Sequence, residues 1–183
     1  TDVGSSDNTY SLVWDGTAKE SNYAITSESI GTLTVTENTD EITVTTTGGT
    51  FTYDGHAHGA TVEVSTLPTG YTLETATSSA TATDVTTTDV AATCDTLVIK
   101  NAKGEDVTSK LNIKYVNGTI KINPATLTIT TPSANKVYDG TALTAEGTIS
   151  GFVNGETATF ATTGTQTDVG SSDNTYSLVW DGT

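Results

Sequence analysis

The chain has 183 residues, with 22 acidic side chains against 7 lysines and no arginine, a formal net charge of -15. Such a surface repels nucleic acid and anionic lipid and offers no basic patch or arginine clamp for phosphate. No apolar run approaches the ~20 residues of a membrane helix, so neither nucleic-acid binding nor membrane insertion is expected.

The chain opens on TDVGSSDNTYSLVWDGT at 1–17, and the same stretch returns without a change at 167–183. Ordinary drift would erode such identity, so recent duplication is the simplest cause. The expectation is an array of near-identical units whose period is the step from Thr1 to Thr167. Within the stretch Leu12 alternates with Trp14, and Leu178 with Trp180, a pattern that puts the tryptophans on the core face of a strand. A carbohydrate platform is their competing role. Asp2, Asp7 and Asn8, and identically Asp168, Asp173 and Asn174, gather hard oxygen ligands that could hold Ca²⁺. The EF-hand spacing is absent, and a solvated acidic turn is the simpler expectation.

From there on the chain reads as strand. Alternation is clear at Leu33/Val35, Ile42/Val44, Val62/Val64, Leu97/Ile99, Leu111/Ile113/Tyr115, Ile120/Ile122 and Leu127/Ile129. Turn residues separate these runs, and Asn117-Gly118 between KYV and TIKI is a hairpin signal. Residues 106–110 could form one helical turn at most. With 34% hydrophobic residues each core must be thin, which suits a two-layer sandwich better than a helical bundle. The expected fold class is therefore all-β, with Ig-like two-sheet β-sandwich modules of about seven short strands each and a β-grasp as the alternative.

A weaker repeat lies inside the long one. Tyr53-Asp54-Gly55 recurs as Tyr138-Asp139-Gly140, and Thr83-Asp84-Val85 recurs at almost the same step as Thr167-Asp168-Val169. Each long period then holds two diverged modules. Residues 40–123 form a complete module A. Residues 1–39 are the rear half of module B and 124–183 its front half, the two copies of the duplicated stretch being the overlap. Only Asn123-Pro124-Ala125 joins A to B, so a semi-rigid rod is expected. The Tyr-Asp-Gly element reads as a structural corner. Its Tyr anchors the core by its ring, its Asp bonds backbone N–H groups, and its Gly takes a positive φ.

Other constellations are weaker. Asp54, His56 and His58 alternate and are plausible Zn or Cu ligands, but the matching stretch DGTALT at 139–144 has no His. Lys136 with Asn22, or Lys100 or Lys121 with a nearby Asn, could form an isopeptide bond beside a protonated carboxyl group. Cys94, the one cysteine, cannot make an intrachain disulfide, and a buried thiol in the run AATCDTLVIK is expected. Asn117-Gly118-Thr119 has the form of a glycosylation sequon. No GxSxG, phosphate loop or HExxH is present, and no enzyme activity or required cofactor is expected.

NKVYDGT at 135–141, GFVNGE at 151–156, TDVGSSDNTYSLVW at 167–180, SNYAIT at 21–26 and GTLTVT at 31–36 follow one another in the order of a known pattern. The sequence resembles the YDG/MBG-type ("mostly β, Gly-rich") tandem repeats of bacterial cell-surface adhesin-like proteins. That resemblance implies an extracellular, cell-wall-anchored stalk or adhesive role. It brings no catalytic residues. The split of module B leaves strand faces and edges unpaired, so head-to-tail packing against neighbouring repeats in a heterologous, potentially open assembly is expected. A glycan or host protein, met by the Thr-rich face or the Trp loop, is the alternative partner, and self-association into filaments by edge-strand pairing is a third reading.

Overall fold

The structure, a computed structural model, describes residues 3–182. Residues 4–35 hold two antiparallel strands, β1 (Gly4–Asn8) and β2 (Gly31–Val35). Ten strands follow: β3 (Glu41–Thr47), β4 (Gly49–Thr52), β5 (His58–Gly59), β6 (Thr61–Val64), β7 (Tyr71–Thr77), β8 (Thr81–Ala82), β9 (Val90–Ala92), β10 (Thr96–Asn101), β11 (Asn112–Val116) and β12 (Gly118–Asn123). The last four are β13 (Thr128–Thr130), β14 (Thr148–Ser150), β15 (Ala158–Thr162) and β16 (Tyr176–Trp180). Single 3-10 turns at Glu20–Asn22 and Thr108–Lys110 are the only helical residues among those described. The helix that a β-grasp lays across its sheet is therefore not among them.

The fold is all-β, built from several small antiparallel and mixed sheets in a sandwich-like arrangement. Two three-stranded sheets, β11-β3-β6 and β4-β12-β9, carry most of the core. Smaller pairs, β7 with β10 and β5 with β8, complete this part of the chain. Ile42, Val44 and Thr46 alternate along β3 and are buried, as are Ile120 and Ile122 along β12, with Ala92 and Ile99 beside them. The alternation read from the sequence is the period-two pattern of strands with one covered face. Each buried isoleucine stabilises the fold by about 1.5–3 kcal/mol. All of the fully buried hydrophobic side chains among the described residues lie between 42 and 122.

The Asn117-Gly118 hairpin is not formed. β11 runs parallel to β3 and β12 runs parallel to β4, so the two strands flanking Asn117 leave in different sheets. They form one continuous strand that bends, alongside a second that bends at Gly48. Close packing fixes the bend. A Cβ on Gly48 would lie 2.1 Å from the Thr119 carbonyl oxygen, and one on Gly118 would lie 2.6 Å from that of Thr46. Gly118 is therefore required for backbone approach and not for a turn.

The strand pairing of residues 41–101 recurs further along. Val44↔Val64 and Thr45↔Glu63 in β3–β6 become Ile129↔Ile149 and Thr130↔Thr148 in β13–β14. Both strands are displaced by the step that separates Tyr53 from Tyr138. His58↔Ala82 becomes the isolated bridge Leu143↔Gln166. β15 pairs with β16 as β7 pairs with β10. Missing from 126–181 are counterparts of β11 and β12. Residues 20–35 hold the matching pieces, a 3-10 turn followed by a GTLTV strand, as Thr108–Lys110 precedes GTIKI.

The duplicated stretch takes two conformations. In the first copy GSSDN is strand β1 and YSLVW at 10–14 is not strand; in the second copy YSLVW is strand β16 and GSSDN at 170–174 is not. Pairing partners decide the matter. β1 lies against β2, and β16 lies against β15.

Candidate functional site

Both Tyr-Asp-Gly corners are built alike. Asp54 Oδ1 accepts the His56 N–H at 2.9 Å, and Asp139 Oδ1 accepts the Thr141 N–H at 2.9 Å. The glycines sit at φ 76° and 73°. His56, by its backbone N–H, and then His58 hold the Asp54 carboxyl below the usual carboxylate range. The Lys136 ammonium, followed by Thr141, holds Asp139 well below that range. The two tyrosines differ. Tyr138 is exposed, so its ring is not a core anchor in this structure. Tyr53 is half-buried and its hydroxyl donates to a Glu156 carboxylate oxygen, which raises the Tyr53 pKa. Gly55 packs on Asn154, itself at φ 52° in the VNGE turn. The first corner thus forms a joint with residues 154–156, and the second has its tyrosine exposed on the surface.

His58 Nε2 lies 3.1 Å from Asp54 Oδ1, and its ring stacks on Phe51 at 4.1 Å. Next to them, His56 Nδ1 turns to the Asp54 carbonyl at 2.9 Å. The three side chains are engaged in one corner. Among the described residues no group of three His, Cys, Asp or Glu is placed to hold a metal ion. For the Ca²⁺ candidates, Asp2 lies outside the described residues, and Asp7 and Asn8 are exposed on β1. Asn174, the second copy's counterpart of Asn8, has a structural post. Its Nδ2 donates to the carbonyls of Pro132 and Ala145 at 2.9 and 3.0 Å, and its Oδ1 is buried without a partner.

Two further expectations need correction. Trp14 and Trp180 are not core residues, being 37% and 62% exposed. Trp14 stacks on Tyr23 at 5.7 Å outside any strand. On β16, Trp180 pairs with Ala158 as Ile99 pairs with Leu73, but nothing seals the face that buries Ile99. Cys94 is half-buried, with Sγ 3.4 Å from the Thr96 carbonyl oxygen. The isopeptide lysines have other partners: Lys136 bonds Asp139 and Thr141, and Lys100 bonds Glu74 at 2.7 Å. Lys121 is exposed on β12.

A groove of about 790 Å³ lies between residues 131–138 on one wall and 164–174 on the other. These walls correspond to β4 and to the approach to β9, the two strands between which β12 lies in residues 41–123. No motif in the sequence marks the groove, because its walls come together only through pairings between distant residues. No family model, no curated protein and no solved structure matches the chain.

Proposed function

We propose that the chain is a stretch of tandem β-sandwich modules of Ig-like character. They form a structural stalk of a bacterial extracellular surface protein and hold a distal binding region away from the cell wall. The observation that carries this reading is repetition at two levels. The stretch 1–17 recurs identically at 167–183, and the strand partners of β3–β6 recur in register in β13–β14. A repeat kept this alike changes length by copy number without changing fold, which suits a spacer better than a unique receptor site. The tight joint at Tyr53, Gly55, Asn154 and Glu156 and the short connection 123–125 favour a stiff array. The net charge of -15 favours solubility at a surface.

The test is small-angle scattering on arrays of one, two and three periods. A maximum dimension that grows in proportion to period number supports the stalk. A dimension that grows as the square root would reduce the array to beads on a flexible string.

One observation favours a second reading, an adhesive module for a glycan or host protein. The stacked pair Trp14–Tyr23 and the outward Trp180 are exposed aromatic surfaces of the kind sugars stack on. A glycan array probed with wild type and Trp14→Ala separates the two, since a plain spacer gives no aromatic-dependent signal.

A further inference from the structure

We infer that Asn154 is a site of spontaneous deamidation in the folded chain, and that its conversion to aspartate or isoaspartate loosens the joint between residues 53–55 and 154–156. Such a site is independent of the stalk reading. The sequence holds two Asn-Gly pairs, Asn117-Gly118 and Asn154-Gly155. A glycine after asparagine leaves its own nitrogen open to the asparagine side chain, because no Cβ stands in the way. The chemistry is local. The Gly155 nitrogen gives up its proton to solvent hydroxide and attacks Asn154 Cγ. The new N–Cγ bond closes a succinimide ring, the Cγ–Nδ2 bond breaks, and ammonia leaves with a proton taken from water. Water then opens the ring. Opening at Cγ gives aspartate, and opening at the backbone carbonyl gives isoaspartate, in which the main chain runs through the side chain. One water is consumed and one ammonia released, with no oxidant and no enzyme.

The two pairs are alike in sequence, and the fold separates them. Asn154 and Gly155 are exposed at the centre of a tight turn, closed by the Glu156 N–H donating to the Val153 carbonyl at 3.0 Å. Their φ angles of 52° and 71° make it a type I′ turn, and Asn154 is the one non-glycine residue at positive φ among those described. Ring closure keeps that positive φ and turns ψ toward about −120°, the geometry of the first central residue in a type II′ turn. One peptide plane swings. Gly155 can follow, since it takes either sign of φ and a Cβ placed on it would meet nothing within 4 Å. Gly118 is held instead. It pairs with Ala92 in the ladder of β12 and β9, and a Cβ on it would lie 2.6 Å from the Thr46 carbonyl oxygen and 2.9 Å from the Gly48 nitrogen. The same swing at Asn117-Gly118 would break the strand and drive backbone into backbone.

The reacting carbon is packed on the joint. A Cβ on Gly55 would lie 2.5 Å from Asn154 Cβ and 2.7 Å from its Cγ. Beside this contact the Tyr53 hydroxyl donates to Glu156. That bond is the first cause of the raised Tyr53 pKa, and desolvation and the charges of Glu156, Asp84 and Asp54 add to it. The joint is thus already rich in negative charge. Deamidation puts a further carboxylate where a neutral amide stood, and like charges at close range repel. Isoaspartate also adds a methylene to the main chain between Val153 and Glu156, the span that the turn bond closes. Both products act against the closed joint.

The test incubates the full chain, folded, in mildly alkaline buffer beside a sample unfolded in guanidinium chloride. Peptide mass spectrometry reads the exchange of NH2 for OH at each Asn, and an isoaspartyl methyltransferase reads the isoaspartate. In the folded chain Asn154 should convert at least about tenfold faster than Asn117, which is about 1.4 kcal/mol in activation free energy. In guanidinium the two should convert at similar rates. Full-length Asn154→Asp, which carries the product charge from the start, should exchange amide hydrogens at 151–157 several-fold faster than wild type, while residues 41–47 keep their protection. A folded-state ratio of Asn154 to Asn117 no greater than the ratio in guanidinium would overturn the inference. So would an absence of conversion at Asn154 in the folded chain, or unchanged exchange at 151–157 in Asn154→Asp.

Discussion

Ile120 and Leu33 hold matching places in matching strands, and alanine at each should have unequal effects in a dilute monomer. Ile120 is fully buried between two sheets. Its truncation removes apolar contact and leaves a hole that the flanking strands cannot close, about 2–5 kcal/mol in all. Leu33 is already 56% exposed, so less than half of its transfer energy is at stake and no closed cavity forms. That places Leu33→Ala at about 1 kcal/mol or less. Urea unfolding followed by far-UV circular dichroism at low protein concentration reads the difference. With a slope of about 1–3 kcal/mol per molar urea, Ile120→Ala should move the midpoint down by roughly 1–2 M, and Leu33→Ala should leave the main transition almost in place. An equal loss for the two variants in the monomer would refute the reasoning, because it would mean that Leu33 is already as covered as its counterpart.

The remaining expectations concern the bend, the joint and the acid side of the stability curve. Gly48→Ala should destabilise by about 1–3 kcal/mol or prevent folding, since its Cβ would lie 2.1 Å from backbone, whereas Gly182→Ala, with nothing within 4 Å, should be neutral in the same melts. Tyr53→Phe should loosen the contact with Glu156 while residues 41–123 keep their melting point, read as faster hydrogen exchange confined to 151–157. In wild type the raised Tyr53 pKa means that this bond is fully present below pH ~10 and lost as pH rises through the folded-state value, so the same opening should appear in alkali. Asp95 is held below the usual carboxylate range first by the Ser79 hydroxyl and then by the Ser79 N–H and Thr93 hydroxyl, and Asp54, Asp106 and Asp139 are lowered too. A depressed carboxylate stabilises above its unfolded value of 3.8 and loses that contribution as pH falls below it. Stability should therefore drop below pH ~4, and Asp95→Asn should flatten that part of the curve in thermal melts across pH.

Local chemistry in the sequence carries the strands. Leu33/Val35, Ile42/Val44 and Ile120/Ile122 each lie on the strand their alternation indicates, because period two is a property of neighbouring residues. The step from one Tyr-Asp-Gly to the next reappears as strand register. What the letters do not carry is non-local. Asn117-Gly118 has hairpin chemistry, yet its strands part company because β3 and β4, far upstream, offer parallel edges. The conformational split of the duplicated stretch is not legible in identical letters, since only the available partner separates GSSDN as β1 from GSSDN at 170–174. Asn174 has the chemistry of an ion ligand and is a cross-brace between Pro132 and Ala145, a role visible only once both carbonyls are in place. Trp180 alternates as a core residue would, and alternation says which face a side chain takes without saying whether anything covers that face.

The parallel pairing of the entering and leaving strands has a mechanical meaning. A pull on the chain at either side of residues 41–123 draws β3-β4 one way and β11-β12 the other, along their common axis. Ladder hydrogen bonds lie across that axis, so the load falls on all of them at once in shear, whereas a hairpin pulled at its open end would peel bond by bond. The bend at Gly48 and Gly118 interlocks the two bent strands, and sliding one past the other must drag backbone through contacts already too close for a methyl group. Resistance to tension then depends on the unfolding barrier and not on equilibrium stability. A marginally stable, thin-cored sandwich of this connectivity can yield slowly to force while melting at an ordinary temperature.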